Sequence, residues 1–320
     1  MVPRLVSRLR QRSTNFFIAV PGGPFQPGDQ VSVQVSFLPE EDLYLREGSV
    51  TLVCHERFWY TVKSTGARWI GTYPGHAEEN YKGTPYTAAG KPGRYETSKE
   101  LVRLSQRLLV DGLLPKGIPY VRRVDFRLPE SAPPSVTGDI AQIDWQVEAS
   151  VVTTGTNQAR TVEHLVVVFP RPNELISPEG QTPATESVEI EFKQCVLSML
   201  LPGTPAIGGG YIEGFFVARL HHDQHVSRVR VQLERFERAG AKESAVTSEF
   251  VSLQASGVLR AGMTYQWPFR LRVPAGLLPS VSVDETTVSW RVKGILCRTI
   301  FPDISISGAV SVCTTPEHRI

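Results

Sequence analysis

Two antiparallel β-sandwiches in tandem, with at most one short helix in the first, are the fold that the sequence predicts. Three observations carry it: the length, an internal repeat, and the two-residue alternation of apolar side chains. With 320 residues the chain exceeds one ordinary core and fits two domains of roughly 150 residues. The repeat is a phrase written twice. Residues 133–147 read PPSVTGDIAQIDWQV and residues 278–292 read LPSVSVDETTVSWRV, with ten residues from Ser135 to Trp145 and again from Ser280 to Trp290. Alternation is clearest at Val31, Val33, Val35 and Phe37, between polar Ser32, Gln34 and Ser36. That period places the apolar side chains on one face of a pleated strand.

The repeat extends outward, as a duplication should. Phe126-Arg-Leu-Pro129 answers Phe269-Arg-Leu-Arg-Val-Pro274, with a two-residue slip that a loop would absorb. Farther upstream, Ser49–Phe58 answers Arg228–Phe236, both ending in Glu-Arg-Phe. From that phenylalanine to the tryptophan is 87 residues in the first copy and 54 in the second, so the first carries about 33 more. Each tryptophan stands mid-strand, Trp145 between Ile143 and Val147 and Trp290 between Val288 and Val292, where a large ring fills the space between facing sheets. Short strands separated by Pro and Gly turns complete the sandwich reading.

One segment suggests a helix. Thr97-Ser-Lys-Glu100 has capping-box spacing and leads into Leu101, Leu104 and Leu108, with Gly112 placed to end a helix over Ser98–Asp111. A strand over Val102–Val110 is the competing reading. Pro170–Pro183 holds four prolines in 14 residues, which stiffens a linker. The domains are therefore expected at 1–170 and 187–320, with the linker at 171–186.

Composition names no partner. The net charge is +2 from 34 basic and 32 acidic residues, and 41% of the chain is hydrophobic, which argues against disorder and against a nucleic-acid partner. The apolar runs are far shorter than the roughly 20 residues a membrane helix needs. Arg4, Arg8, Arg10 and Arg12 precede any acidic residue and would suit a transit peptide or a membrane-surface arm, but Asn15–Val20 reads as a strand leading into the first motif. No signal peptide is legible. Cys54, Cys195, Cys297 and Cys313 lack CxxC spacing and read as free buried thiols of a cytoplasmic protein.

With Pro27-Gly28-Asp29 before an early strand, Leu114-Pro115-Lys-Gly117 before Phe126, and the Phe…Pro…Pro-Ser-Val…Trp series in both halves, the chain resembles the arrestin superfamily over about residues 15–313. The resemblance implies immunoglobulin-like, arrestin-like sandwiches and a cytosolic, monomeric, non-enzymatic adaptor or scaffold in signalling or protein trafficking. Its partners would be proteins, membrane-associated receptors or cargo among them, with peripheral membrane contact allowed. Ser49–Phe58 is similar to the strand leading into the family's finger loop. The chain lacks a Pro-Pro-x-Tyr motif and a clathrin box, and seven residues follow Cys313, where the family carries a long tail. It therefore looks closer to the broad group that includes the retromer's arrestin-like subunit and bacterial sporulation-control proteins, and a self-associating regulator of that group is the alternative.

The best candidate site is the segment from Ser64 to Thr97. It holds Trp69, Tyr73, Tyr81, Tyr86 and Tyr95, aromatic residues that bring large contact area to protein recognition at small entropic cost. Packing on their own domain is the competing role. Arg122, Arg123, Arg228 and Arg230 are candidates for a surface that binds an anionic partner, against the simpler reading of a solvated outer face. Arg228 and Arg230 should face the same way, opposite Val229 and Val231. His221-His-Asp-Gln-His225 straddles a predicted turn without metal-site register, and Gly208-Gly-Gly210 lacks the lysine and the helix of a phosphate loop. No catalytic, cofactor or metal residues are predicted.

Overall fold

The computed structural model describes residues 7–11, 14–62, 93–154, 159–171 and 186–314. It divides into two compact units, Met1–Val168 and Phe169–Ile320. The first contains β1 (Ser7–Gln11), β2 (Thr14–Ala19), β3 (Gln30–Pro39), β4 (Leu43–Val62), β5 (Gly93–Leu114), β6 (Tyr120–Arg127), β7 (Val136–Thr137), β8 (Ala141–Thr153) and β9 (Arg160–Val166). One sheet runs β1-β2-β3-β6; the other runs β5-β4-β8-β7, with β9 also on β8.

The second unit contains β10 (Glu186–Glu191), β11 (Cys195–Leu201), β12 (Ala206–Ile207), β13 (Tyr211–Leu220), β14 (Gln224–Ala239), β15 (Lys242–Gln254), β16 (Gly257–Leu259), β17 (Thr264–Arg272), β18 (Val281–Ser282), β19 (Thr286–Arg298), β20 (Ile304–Val310) and β21 (Val312–Cys313). Its sheets run β10-β11-β13-β17 and β15-β14-β19-β18, with β20 on β19 and β16 on β14. Apart from β16, which has no counterpart among the described residues of the first unit, this is the order of the first unit. Even the parallel β12–β21 pair has a counterpart, the single bridge between Phe25 and Val168.

Each core forms where the alternation predicts. Val31, Val33, Val35 and Phe37 are buried, and the Phe16 ring stacks on Phe37 at 4.5 Å. In the second unit Leu197, Met199, Phe216, Val231, Leu233 and Trp290 lie in one cluster. Gly294 is there because a Cβ would stand 2.7 Å from the Phe216 ring. The repeated phrase is a clamp: the Trp145 indole donates to the Pro133 carbonyl at 2.8 Å, and Trp290 to Leu278 at 3.0 Å. Ser135 donates its amide to Val168 O and accepts Val168 N on its hydroxyl; Ser280 does the same with Val312. A buried indole N–H needs an acceptor. The proline-flanked turn supplies it, and the serine ties that turn to the unit's last extended segment.

The register refines two alignments. Cys54 pairs with Trp145 and Arg235 with Trp290, so the two Glu-Arg-Phe matches are three residues out of step. The buried Glu56 and Glu237 become the equivalent pair, opposite Ile143 and Val288. Pro129 and Pro274 stand equally far before their tryptophans, and no loop absorbs a slip. Phe269 simply occupies the inward position one strand period before Leu271, and slipping by two keeps the face.

No helix occurs among the described residues. The expected helix over Ser98–Asp111 is instead the middle of β5, paired along β4. Two irregularities explain the misleading stripe: the ladder skips Leu101 and Leu108, so period-two pairing acquires a three-to-four spacing. Glu100 accepts from Arg103 at 2.6 and 2.9 Å.

Candidate functional site

The four-residue turn that closes β14 and β15 in the second unit shows what the sandwich needs. Ala239 pairs with Lys242, and Gly240 turns the chain at φ 56°. In the first unit the same hairpin runs on. Phe58, the counterpart of Ala239, pairs with Thr97, and pairing continues through Trp59–Glu96 and Tyr60–Tyr95 to Val62–Gly93. The Trp59 amide also donates to Ile140 O at 3.1 Å. Trp69, Tyr73, Tyr81 and Tyr86 lie outside the described residues. Tyr95 is strand rather than loop, so the candidate segment loses its last five residues, 93–97, to β5.

Arg122 and Arg123 belong to the first unit, Arg228 and Arg230 to the second. Arg122 and Arg123 are neighbours on β6 and so take opposite faces. Arg123 is engaged, Nε to Asp125 Oδ1 at 3.2 Å and Nη2 to Ser32 Oγ at 2.8 Å. The Ser32 hydroxyl and then Arg123 hold the Asp125 carboxyl below its ordinary value. Arg228 and Arg230 lie together on the outer face of β14, with Val229 and Val231 buried behind them as the alternation predicts. They flank Cys297, whose thiol burial and Asp303 push up while the two arginines pull down.

Farther along the same outer face stands a hub that the sequence reading missed. Glu234 takes Arg291 Nε at 2.6 Å and Lys293 Nζ at 3.6 Å, and accepts from Gln232. Burial opposes its ionisation, but Arg291, Gln232 and Lys293 together hold the carboxyl below its ordinary value. Arg291 also lies 3.7 Å over the Phe236 ring. The signal was in the cross-strand register, Gln232 opposite Lys293 and Glu234 opposite Arg291, which needs the pairing of β14 with β19 to be known. In the first unit Asp144 behaves oppositely: burial raises its carboxyl although Arg57 stands 3.3 Å away.

His221 and His222 are exposed on the β13–β14 turn, and His225 is exposed at the start of β14. Gly208–Gly210 forms the turn into β13, Gly209 at φ 86°. All four cysteines are free and buried; burial pushes Cys313 up to about 11 and Cys54 higher still. Among the described residues no group of three or more His, Cys, Asp or Glu side chains could hold a metal ion, and no helix is long and apolar enough to cross a membrane. No protein-family model matches the chain, and no curated protein matches it.

Proposed function

We propose that the chain is a non-enzymatic, arrestin-like adaptor or scaffold of the cytosol, binding proteins in signalling or trafficking through the segment at the end of the β4–β5 hairpin. One observation carries this reading. Two units share a strand order and a tryptophan clamp, yet only the first continues this hairpin past the turn position, to Val62–Gly93, and joins its strands by a 30-residue segment whose sequence includes Trp69, Tyr73, Tyr81 and Tyr86. The other unit closes the equivalent hairpin with the short Gly240 turn, and Trp and Tyr are favoured at recognition surfaces, which supports a binding role for the added segment.

Replacing residues 63–92 by a two-residue Gly-Ala turn tests it. The variant should keep its thermal transition, while proximity labelling in the source cell should lose the partners enriched by the full chain. An unchanged partner set at unchanged intensity would sink the reading.

A further inference from the structure

The same end of each sandwich is finished as a braced, partly apolar tip, and the two tips carry opposite charge. In the first unit this end holds the β3–β4 and β5–β6 connections. Gly117 N donates to Pro39 O at 2.8 Å and Lys116 N to Asp42 Oδ1 at 2.8 Å, so the connections hold each other. They expose the unbroken acidic run Glu40-Glu41-Asp42, only partly offset by the exposed Lys116, beside Ile118 and the cross-strand pair Tyr44–Leu113.

In the second unit the corresponding end holds the β13–β14, β16–β17 and β19–β20 connections. Asp223 accepts from Ala261 N at 2.7 Å and from Arg260 Nη1 at 2.9 Å. Arg298 spans the last connection, its amide on Asp303 Oδ1 and its Nε on Pro302 O at 2.6 Å. That brace presents Ile300 at 83% and Phe301 at 65% exposure, with Met263 half exposed on the next connection. Asp223 offsets Arg260, and Asp303 stands against Arg298. The exposed Arg219 and Arg228 remain as surrounding positive charge, while the exposed Glu191 offsets Lys193.

Loops tied this firmly do not expose isoleucine, phenylalanine and leucine for want of order. Exposed apolar side chains ringed by polar ones mark interaction sites, and opposite charge on the facing patch favours encounter and register. The structure points to a second copy of this chain as the occupant: we propose that the acidic tip of one copy docks on the basic tip of the next, head to tail. Such a contact is heterologous, so copies add to a ring or an open chain rather than stopping at a two-fold dimer. This goes beyond the adaptor reading and departs from its expected monomer. Partner capture by a strictly monomeric protein would leave that reading standing while removing this one.

Sedimentation velocity on the full chain tests it. At about 50 mM salt the average mass should rise with concentration past that of a dimer, and at about 0.5 M salt, where screening shortens to a few ångströms, it should fall back toward the monomer. Two variants each block one tip, Ile300→Asp with Phe301→Asp and Leu113→Asp with Ile118→Asp; all four positions are exposed, and an unchanged melting curve verifies each fold. Each variant alone should stay monomeric. An equimolar mixture of the two should form a one-to-one dimer and nothing larger, because one intact pair of tips remains. A monomeric wild type, self-association of either variant alone, or a mixture that fails to pair overturns the proposal. So does a monomeric wild type that co-sediments with phosphatidylserine vesicles through Ile300 and Phe301, which would make the basic tip a membrane anchor.

Discussion

The two units solve one packing problem with the same device and differ where packing makes no demand. Trp145 and Trp290 point their indole N–H at carbonyls in the same proline-flanked turn, and Ser135 and Ser280 tie that turn to Val168 and Val312. The β4–β5 and β14–β15 hairpins reach the same register at Phe58 and Ala239, although their second bulges lie two residues apart, and there one turns while the other continues. Duplicated scaffold therefore separates the residues that hold a sandwich together from those added to it.

Variants can test that equivalence directly. Trp145→Ala and Trp290→Ala should each cost about 3–5 kcal/mol, the range for emptying a large aromatic site. Hydrogen exchange should show the lost protection confined to the unit that was changed; loss spread over both units would mean that they do not fold separately. Ser135→Ala and Ser280→Ala should cost about 1–2 kcal/mol each by orphaning the Val168 and Val312 amides, and unequal costs in urea titrations would show that the clamp is not shared. Gly240→Ala should cost about 1 kcal/mol because φ is positive there.

The smallest effect is a difference of sign with pH. Glu234 is held below its ordinary value in the folded state, so it contributes stability above the unfolded carboxylate range, near about 4.3, that is lost as pH falls through its lower folded value. Asp144 is raised, so its ionisation opposes folding at neutral pH, and protonation relieves that cost as pH falls through its raised folded value. Glu234→Gln should flatten the acid limb for the second unit, and Asp144→Asn should remove the opposite trend from the first. Melting curves between pH 3 and pH 7 check both; like-signed shifts would contradict the assignment.

Most of this architecture was legible because a strand writes its burial in its own alternation. Val31, Val33, Val35 and Phe37 needed no partner to be recognised, and spacing alone linked Trp145 with Trp290. What depends on pairing was not legible. Leu101, Leu104 and Leu108 imitate a helix because the ladder skips two residues of β5, and nothing local marks a skip. Glu234 looked like part of a Glu-Arg-Phe match until the register showed Glu237 in the place of Glu56. Of the arginine candidates, Arg228 and Arg230 keep a common face because they share a strand parity, whereas the adjacent Arg122 and Arg123 cannot.

The serine clamp also sets an order of events. Ser135 and Ser280 hold residues 33 and 32 positions later, so during synthesis neither clamp can form until its unit's last extended segment exists. The first unit has all its parts once Val168 is made, before any strand of the second. The second waits for Val312, whose segment supplies both the partner of Ser280 and, with Cys313, the strand that pairs Ala206 and Ile207. A chain stopped between those points would carry one finished sandwich and one that cannot be latched.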